Sequence, residues 1–402
     1  MGLTPTSEGA RKRENDMGPL KGYRVIEMAG IGPAPFCAML LADLGAEVIR
    51  VDRREKTDLG VAGREPKFEV LLRGRKSIAV DVKAKAGQDV VKRLVKDADA
   101  LIEGFRPGVM ERLGLGPDDL AKVNPRLVFG RMTGFGQEGP MAPRAGHDIN
   151  YIALSGVLNH IGRAGEPPLH PLNLVGDYGG GGMYLAFGVV CAILEAQKSG
   201  KGQVVDACMI DGSASLMAMV HGMWSEGVWA EARGTNMLDS GAPWYNVYET
   251  KDEKWVSIGS IEKRFYEDLL QRLGLDKEKL PAQHDRKGWP TLKARFTEIF
   301  KSKTRTEWEN EFEGSDACFA PVLAISEVSA HPHNIARGTF VTRDGVLQPA
   351  PAPRFSRTTP EMGGPPRTAG VDTKAVLAAA GFSEAEVANL LSQGIVGAGG
   401  KV

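Results

Sequence analysis

The chain has 402 residues, in which 50 Lys and Arg balance 50 Asp and Glu. No overall field favours nucleic acid or a membrane surface, so an anionic ligand has to be held by a local basic cluster. With 42% hydrophobic and 25% charged residues, the composition is that of a soluble enzyme rather than a disordered or fibrous chain.

Single cores stop growing near roughly 250 residues, so the length implies two domains or one with a large insertion. Residues 1–18 are polar and lack the apolar stretch of a signal peptide, which marks them as a disordered leader outside the fold. Tyr23 to Met28 reads as a buried strand, Pro33 to Leu44 as a helix after a glycine-rich turn, and Glu47 to Val51 as the next strand. The alternation continues through a strand at Ser77 to Val82, an amphipathic helix at Ala84 to Asp97, and strands at Ala100 to Glu103 and Arg126 to Met132. Apolar strands alternating with helices predict an α/β fold, a Rossmann-like doubly wound parallel sheet covered on both faces.

Two long helices are predicted next, Asp177 to Ser199 and Asp211 to Ala232. The longest apolar runs, such as Tyr184 to Leu194, are too short to span a bilayer, so no membrane insertion is expected. After Gly241 the texture changes to a hairpin, Trp244 to Thr250 with Lys254 to Ile258, and to helices at Glu262 to Leu273, Pro290 to Ser302 and Thr306 to Glu313. These imply a large domain over 19–235 and a smaller α+β domain over 236–335. From Pro349 to Pro366 the chain is rich in proline and arginine without periodicity. Residues 336–402 therefore read as an extended return arm with a final short helix at Ser383 to Ser392, packing on the large domain or on a partner subunit.

Cys37, Cys191, Cys208 and Cys318 lie far apart with no CxxC spacing. This argues against a zinc site or a disulfide framework and for buried free thiols in a reducing compartment. The C-terminal Gly400-Lys401-Val402 is not a peroxisomal tripeptide, and a cytoplasmic enzyme is expected.

Chemistry concentrates in two places. His147 and Asp177 lie thirty residues apart, and Asp177 leads into four glycines at 179–182. A base and a carboxylate at the start of a helix suit proton transfer next to a carbonyl, since one removes the proton, the other returns it, and the helix N-terminus holds the oxyanion. The second place is a set of cations near predicted strand ends: Arg53 and Arg54, then Arg73, Arg75 and Lys76, then Arg106 and Arg112. At the carboxyl edge of a doubly wound sheet such cations converge and can hold phosphates, as on coenzyme A. Gly30-Ile31-Gly32 with the later Asp52 resembles the opening of a dinucleotide fingerprint, but Pro35 stands where the third glycine belongs, so the turn reads equally as close helix-to-strand packing.

The segments GYRVIEMAGIGPAPFCAMLLADLGAEVIRVDR, GFRPGVMERLGLGPDDL, GHDINYIALSGVL, LNLVGDYGGGGM and GQVVDACMIDG resemble the family III CoA-transferases and, within them, the α-methylacyl-CoA racemases. The resemblance runs over about residues 19–360. It implies a homodimer with interlocked subunits and an acyl-CoA thioester as substrate, with coenzyme A part of that substrate and no separate cofactor or metal. Carried over by motif, the racemase bases resemble His147 and Asp177, with Glu262 as partner of His147 and Asn173 in support. Arg53, Lys76, Arg106, Arg112 and Asp148 match positions used for coenzyme A. The transferases of the same fold are the alternative: they use an aspartate placed like Asp177 as a nucleophile, passing through an acyl-enzyme, and have no need of His147.

Overall fold

The computed structural model describes residues 18–54 and 65–399. The expected leader, apart from Gly18, and the C-terminal tripeptide lie outside the described residues.

In chain order, β1 (Arg24–Met28) and β2 (Glu47–Asp52) flank α1 (Pro33–Asp43), and β3 (Arg75–Val80) is followed by α2 (Lys85–Val95) and β4 (Ala100–Glu103). Two short helices, α3 (Val109–Arg112) and α4 (Pro117–Ala121), precede β5 (Val128–Thr133), and α5 (Asp148–Leu154) comes next. The chain then winds as a π-helix over Leu174–Gly182 that runs into α6 (Met183–Ser199), and β6 (Val204–Cys208) ends this stretch. After α7 (Met209–Leu216) and α8 (Ala218–Glu226) come β7 (Tyr245–Glu249), β8 (Trp255–Gly259), α9 (Lys263–Arg272), α10 (Trp289–Phe300), α11 (Arg305–Glu311) and β9 (Phe319–Val322). The last elements are α12 (Pro332–Arg337), β10 (Phe340–Arg343), β11 (Val346–Pro349), α13 (Thr373–Ala379), α14 (Glu384–Ser392) and β12 (Val396–Gly397).

Two compact units emerge. Among the described residues the first comprises 18–54, 65–145, 177–209 and 341–399, and the second Gly146–Gly176 and Ile210–Phe340.

The first unit is built on a seven-stranded sheet of order β12-β3-β2-β1-β4-β5-β6. Every pairing is parallel except that of β12, which adds antiparallel to β3 through Val396 opposite Val80. Strands such as Arg24–Met28 and Ala100–Glu103 are buried on both faces, as parallel sheets require. On one face Ile26, Met28, Leu101 and Phe129 pack with Val90, Val91 and Leu94 of α2 and with Val376, Leu377 and Val387 of the C-terminal helices. The apolar spacing of α2 is the i, i+3, i+4 stripe expected of a helix lying on a sheet.

The opposite face carries α6. Gly130 of β5 lies beneath it, where a Cβ would meet Leu185 and Val189, each at 3.0 Å. The helical run Leu174–Ser199 is long and apolar enough to cross a bilayer by length and composition, so the expectation that apolar runs are too short is corrected here. With Leu185, Val189, Ala192, Ile193 and Ala196 buried, it is nonetheless the core helix of an α/β layer.

This face also buries ionic groups. Glu27 of β1 and Arg75 of β3 pair at 2.6 Å with almost no exposure, and Arg73 pairs with Asp43 at 2.5 Å. Arg73 also donates to Gln348 Oε1 at 3.0 Å and the Pro349 carbonyl at 2.8 Å. The four cysteines are free thiols, but only Cys37 and Cys208 are buried, whereas Cys191 and Cys318 are exposed.

The second unit has an antiparallel sheet of order β7-β8-β9 against an aromatic core of Trp244, Tyr248, Phe296, Phe300, Trp308 and Phe312. Its buried indoles are matched, whereas the Tyr266 hydroxyl has no hydrogen-bond partner among the described residues. Trp244 and Trp289 both donate to the Gln283 carbonyl, at 2.9 and 2.8 Å, and Trp308 donates to the Phe300 carbonyl at 2.8 Å. Such pairing is what allows indoles inside a core.

Candidate active site

In the first unit the strand order reverses at β1, with β2 and β3 on one side and β4 and β5 on the other. The crevice at the carboxyl ends of β1 and β4 is therefore the topological switch point, where open α/β sheets bind ligands. The loops that follow these two strands carry the glycine turn 30–32 and the turn 104–108.

Asp177 stands at the first of these loops. A Cβ built on Gly32 would lie 3.4 Å from Asp177 Oδ2, so the carboxylate rests on the bare α-carbon of the residue that caps α1. Gly32 has φ +70, a conformation that side chains resist. The first glycine cluster thus makes room for a carboxylate at the positive end of the α1 dipole, where negative charge is stabilised. The glycine run has a similar local reason: a Cβ on Gly182 would meet the Pro33 carbonyl and Phe36, both at 2.7 Å. The helix expected to open at Asp177 opens instead at Leu174 and begins with π turns, a winding often found at functional sites.

The second loop gathers cations. Arg106 is exposed in the turn after β4, and a Cβ on Gly108 would lie 3.0 Å from Arg112 Nη1. The exposed Arg53 follows β2 directly. These three match the expected gathering of cations along the carboxyl edge. Lys76 does not. It lies inside β3 opposite Ile49, roughly 13 Å of strand before the level of Arg53 at about 3.3 Å per residue, and pairs with Glu47 at 2.5 Å. Arg73 and Arg75 also leave the phosphate-binding set, because both are spent on the buried partners described above.

Sequence reasoning passed over the carboxylates behind this loop. Glu103, 1% exposed at the end of β4, accepts from Phe105 N at 2.6 Å and from Arg131 Nε at 3.2 Å. Arg131 also reaches Glu111 at 2.8 Å. Burial pushes the Glu103 carboxyl up from 4.5 to about 7, against the pull of Phe105 N–H and Arg131. The signal was available as a glutamate ending the apolar run Ala100-Leu101-Ile102.

The remaining candidates belong to the second unit. His147 is exposed at the N-cap of α5, and its backbone N–H donates to Asn150 Oδ1 at 3.0 Å. Asp148, the first residue of that helix, is 5% exposed, and a Cβ on Gly176 would lie 2.5 Å from its Oδ2. Half-buried Asn173 follows Leu172, a non-glycine residue at φ +57. Glu262 is exposed at the N-cap of α9, where its carbonyl accepts from Phe265 N and Tyr266 N at 3.0 Å and its side chain makes no capping bond. The carboxylate is thus left available. Within this one chain, among the described residues, no hydrogen bond or ion pair joins Glu262 to His147.

Residues 20–373 match the family described as CoA-transferase family III. The chain is 46% identical over 380 residues to the alpha-methylacyl-CoA racemase of Mus musculus, covering 94% of this chain and 97% of the relative. To the Homo sapiens protein of the same name it is 44% identical over the same shares. A succinyl-CoA–D-citramalate CoA-transferase of Chloroflexus aurantiacus is 37% identical over 264 residues, 64% of this chain and 65% of that one. Among solved structures, a CaiB/BaiF family protein from Brucella suis superposes with a TM-score of 0.78 at 25% identity, over 90% of this chain and all of that one.

Proposed function

Since the chain belongs to CoA-transferase family III, we propose that it is an isomerase of that family, a racemase interconverting (2R)- and (2S)-2-methylacyl-CoA thioesters by proton transfer through an enolate. The observation that carries this reading is the 44–46% identity along nearly the whole chain to two mammalian racemases, against 27–37% to the named transferases.

The α-proton of a thioester is weakly acidic because its removal puts charge on the thioester oxygen, so the site has to stabilise an oxyanion and present a base to each face. His147 removes the proton from one face and Asp177 returns it from the other, with the roles reversed for the opposite enantiomer. What supports Asp177 is its place on Gly32 beside the start of α1. His147 is supported by its exposure at a helix N-cap. Backbone N–H groups of the first π turn, which lack intrahelical partners, receive the oxyanion. Arg53, Arg106 and Arg112 hold the phosphates of coenzyme A and Asp148 takes part in its binding, whereas Lys76, within β3, is engaged by Glu47; Asn173 supports the two bases. No metal or redox cofactor enters this scheme.

Glu262 orients His147 from the second chain of an interlocked homodimer. This reading is supported by the Glu262 side chain, which makes no capping bond on α9, and by the absence, among the described residues, of a hydrogen bond or ion pair between it and His147 within one chain.

Proton NMR of a (2R)-2-methylacyl-CoA in deuterated water tests the assignment. Loss of the α-proton signal with formation of the 2S epimer, without any added carboxylate acceptor, is expected. A silent α-carbon with coenzyme A passing to an added acid would replace the racemase by a transferase and make Asp177 its nucleophile. Asp177→Ala is expected to abolish exchange while leaving affinity for coenzyme A intact.

A further inference from the structure

We propose that the second unit carries a binding pocket for the carboxylate-bearing end of an apolar chain. Two cavities there share a wall. The larger, of 560 Å³, is within the range of small-molecule sites, and Ile161, Leu169, Leu238, Val247 and Ile258 give it an apolar lining. The smaller, of 220 Å³, shares Arg163, Asn246 and Val247 with it and adds Lys293. The apolar wall of the larger cavity therefore borders two cations.

Among the described residues no carboxylate forms an ion pair with either cation, and Asp239 only partly offsets the charge of Lys293 from a distance. Lys293 Nζ donates to the Ser240 carbonyl at 2.7 Å. Glu249, on the wall of the smaller cavity, is engaged by Lys301 at 2.9 Å. Asp239, on the wall of the larger, accepts from the backbone N–H groups of Gly234, Asn236 and Gly241 at 2.9, 2.8 and 3.2 Å. Burial and the nearby Arg163 both push the Lys293 ammonium down, so an anion set between the two cations relieves their repulsion and gains charge-assisted hydrogen bonds.

His160 adds a donor to the larger cavity. Its Nδ1 accepts from Trp229 Nε1 at 3.2 Å, which leaves the neutral ring's proton on Nε2. The chemistry that fits is a chain whose methylenes cover the apolar wall and whose carboxylate reaches Arg163 and Lys293. It has two sources: a free fatty carboxylate, or the far end of an acyl-CoA whose tail bears a second carboxylate. The latter rests on the racemase reading and the former does not.

The test titrates the full-length protein with decanoate and with decanol by calorimetry, in the wild type, in Arg163→Gln, and in the Arg163→Gln, Lys293→Met double variant. The expected result is a preference of about tenfold for decanoate, the value of one charge-assisted contact, reduced in the single variant and abolished in the double. Equal binding of the two ligands, or a preference untouched by Arg163→Gln on the exposed rim, would overturn the proposal. The source is decided by α-proton exchange of 2-methyldecanoyl-CoA and its ω-carboxylate analogue. A lower KM for the analogue in the wild type alone assigns the pocket to the substrate tail. Equal KM values, with decanoate still preferred over decanol, assign it to a free carboxylate. Absence of exchange with both thioesters would remove the racemase reading and leave the calorimetric test standing.

Discussion

Glu103 is a carboxyl held in a place that favours its neutral form, at the root of the loop that carries Arg106. Its value in the fold, about 7 against an ordinary 4.5, fixes the sign of its effect. Its contribution to stability is fully present below about pH 4.5 and is lost as the pH rises through about 7, where the folded chain has to bury a charge. Glu103→Gln keeps an acceptor for Phe105 N–H without the charge. The variant is expected to be less sensitive to pH than the wild type between pH 5 and 8, gaining relative stability toward pH 8, as read by urea denaturation at a series of pH values. Arg75 is a second such residue, because Glu27 beside it is fully buried. Arg75→Met leaves that carboxylate uncompensated, at a cost of about 3–5 kcal/mol, and is expected to lower Tm sharply by calorimetry, whereas the joint replacement Glu27→Leu, Arg75→Met recovers most of the loss.

At the scale of elements, the turn between β1 and α1 links fold and chemistry. Gly32→Ala places a methyl group at φ +70 and 3.4 Å from Asp177 Oδ2. The backbone strain at φ +70 and ψ −121, outside the left-handed helical well, costs about 1–3 kcal/mol and lowers Tm, while α-proton exchange is expected to fall by more than that loss explains because the turn on which Asp177 rests shifts to relieve it. Comparing kcat/KM with Tm for this variant checks it. The glycines were visible in the sequence, but their reason was not, since it depends on a residue far along the chain. β1, α1, β2 and β4 were legible to within a residue or so because apolar runs, Pro33 and flanking glycines all act locally. β9 and β12 were not, being a four-residue strand containing Pro321 and a two-residue strand with no periodicity to read. The helix expected from Asp211 to Ala232 is two helices ending at Gly227, which caps α8 at φ +80. Gly227 was a stop signal available in advance. Of the candidate site, the placement of Arg53 and Arg106 followed from strand order, while the loss of Arg73 and Arg75 to buried ion pairs required knowing what lies across the sheet.

At the scale of the whole molecule, the proposed pairing of His147 with Glu262 across two chains gives a complementation test. His147→Ala and Glu262→Gln chains are each expected to be nearly inactive. Unfolded together and refolded as mixed dimers, they regain about a quarter of wild-type exchange, because half of the dimers are mixed and each of these carries one intact site. No recovery, with dimers confirmed by sedimentation, would place the pair within one chain or remove it.

The antiparallel strand β12 completes the edge of β3 with Val396 and Gly397, and Asp81 N donates to the Ile395 carbonyl at 2.8 Å. During synthesis β3 leaves the ribosome early, and the segment that seals it is made only after α14. For most of translation the nascent sheet therefore offers an open hydrogen-bonding edge to any neighbouring chain. Until β12 is made, this edge is where the folding sheet is most exposed to misassembly.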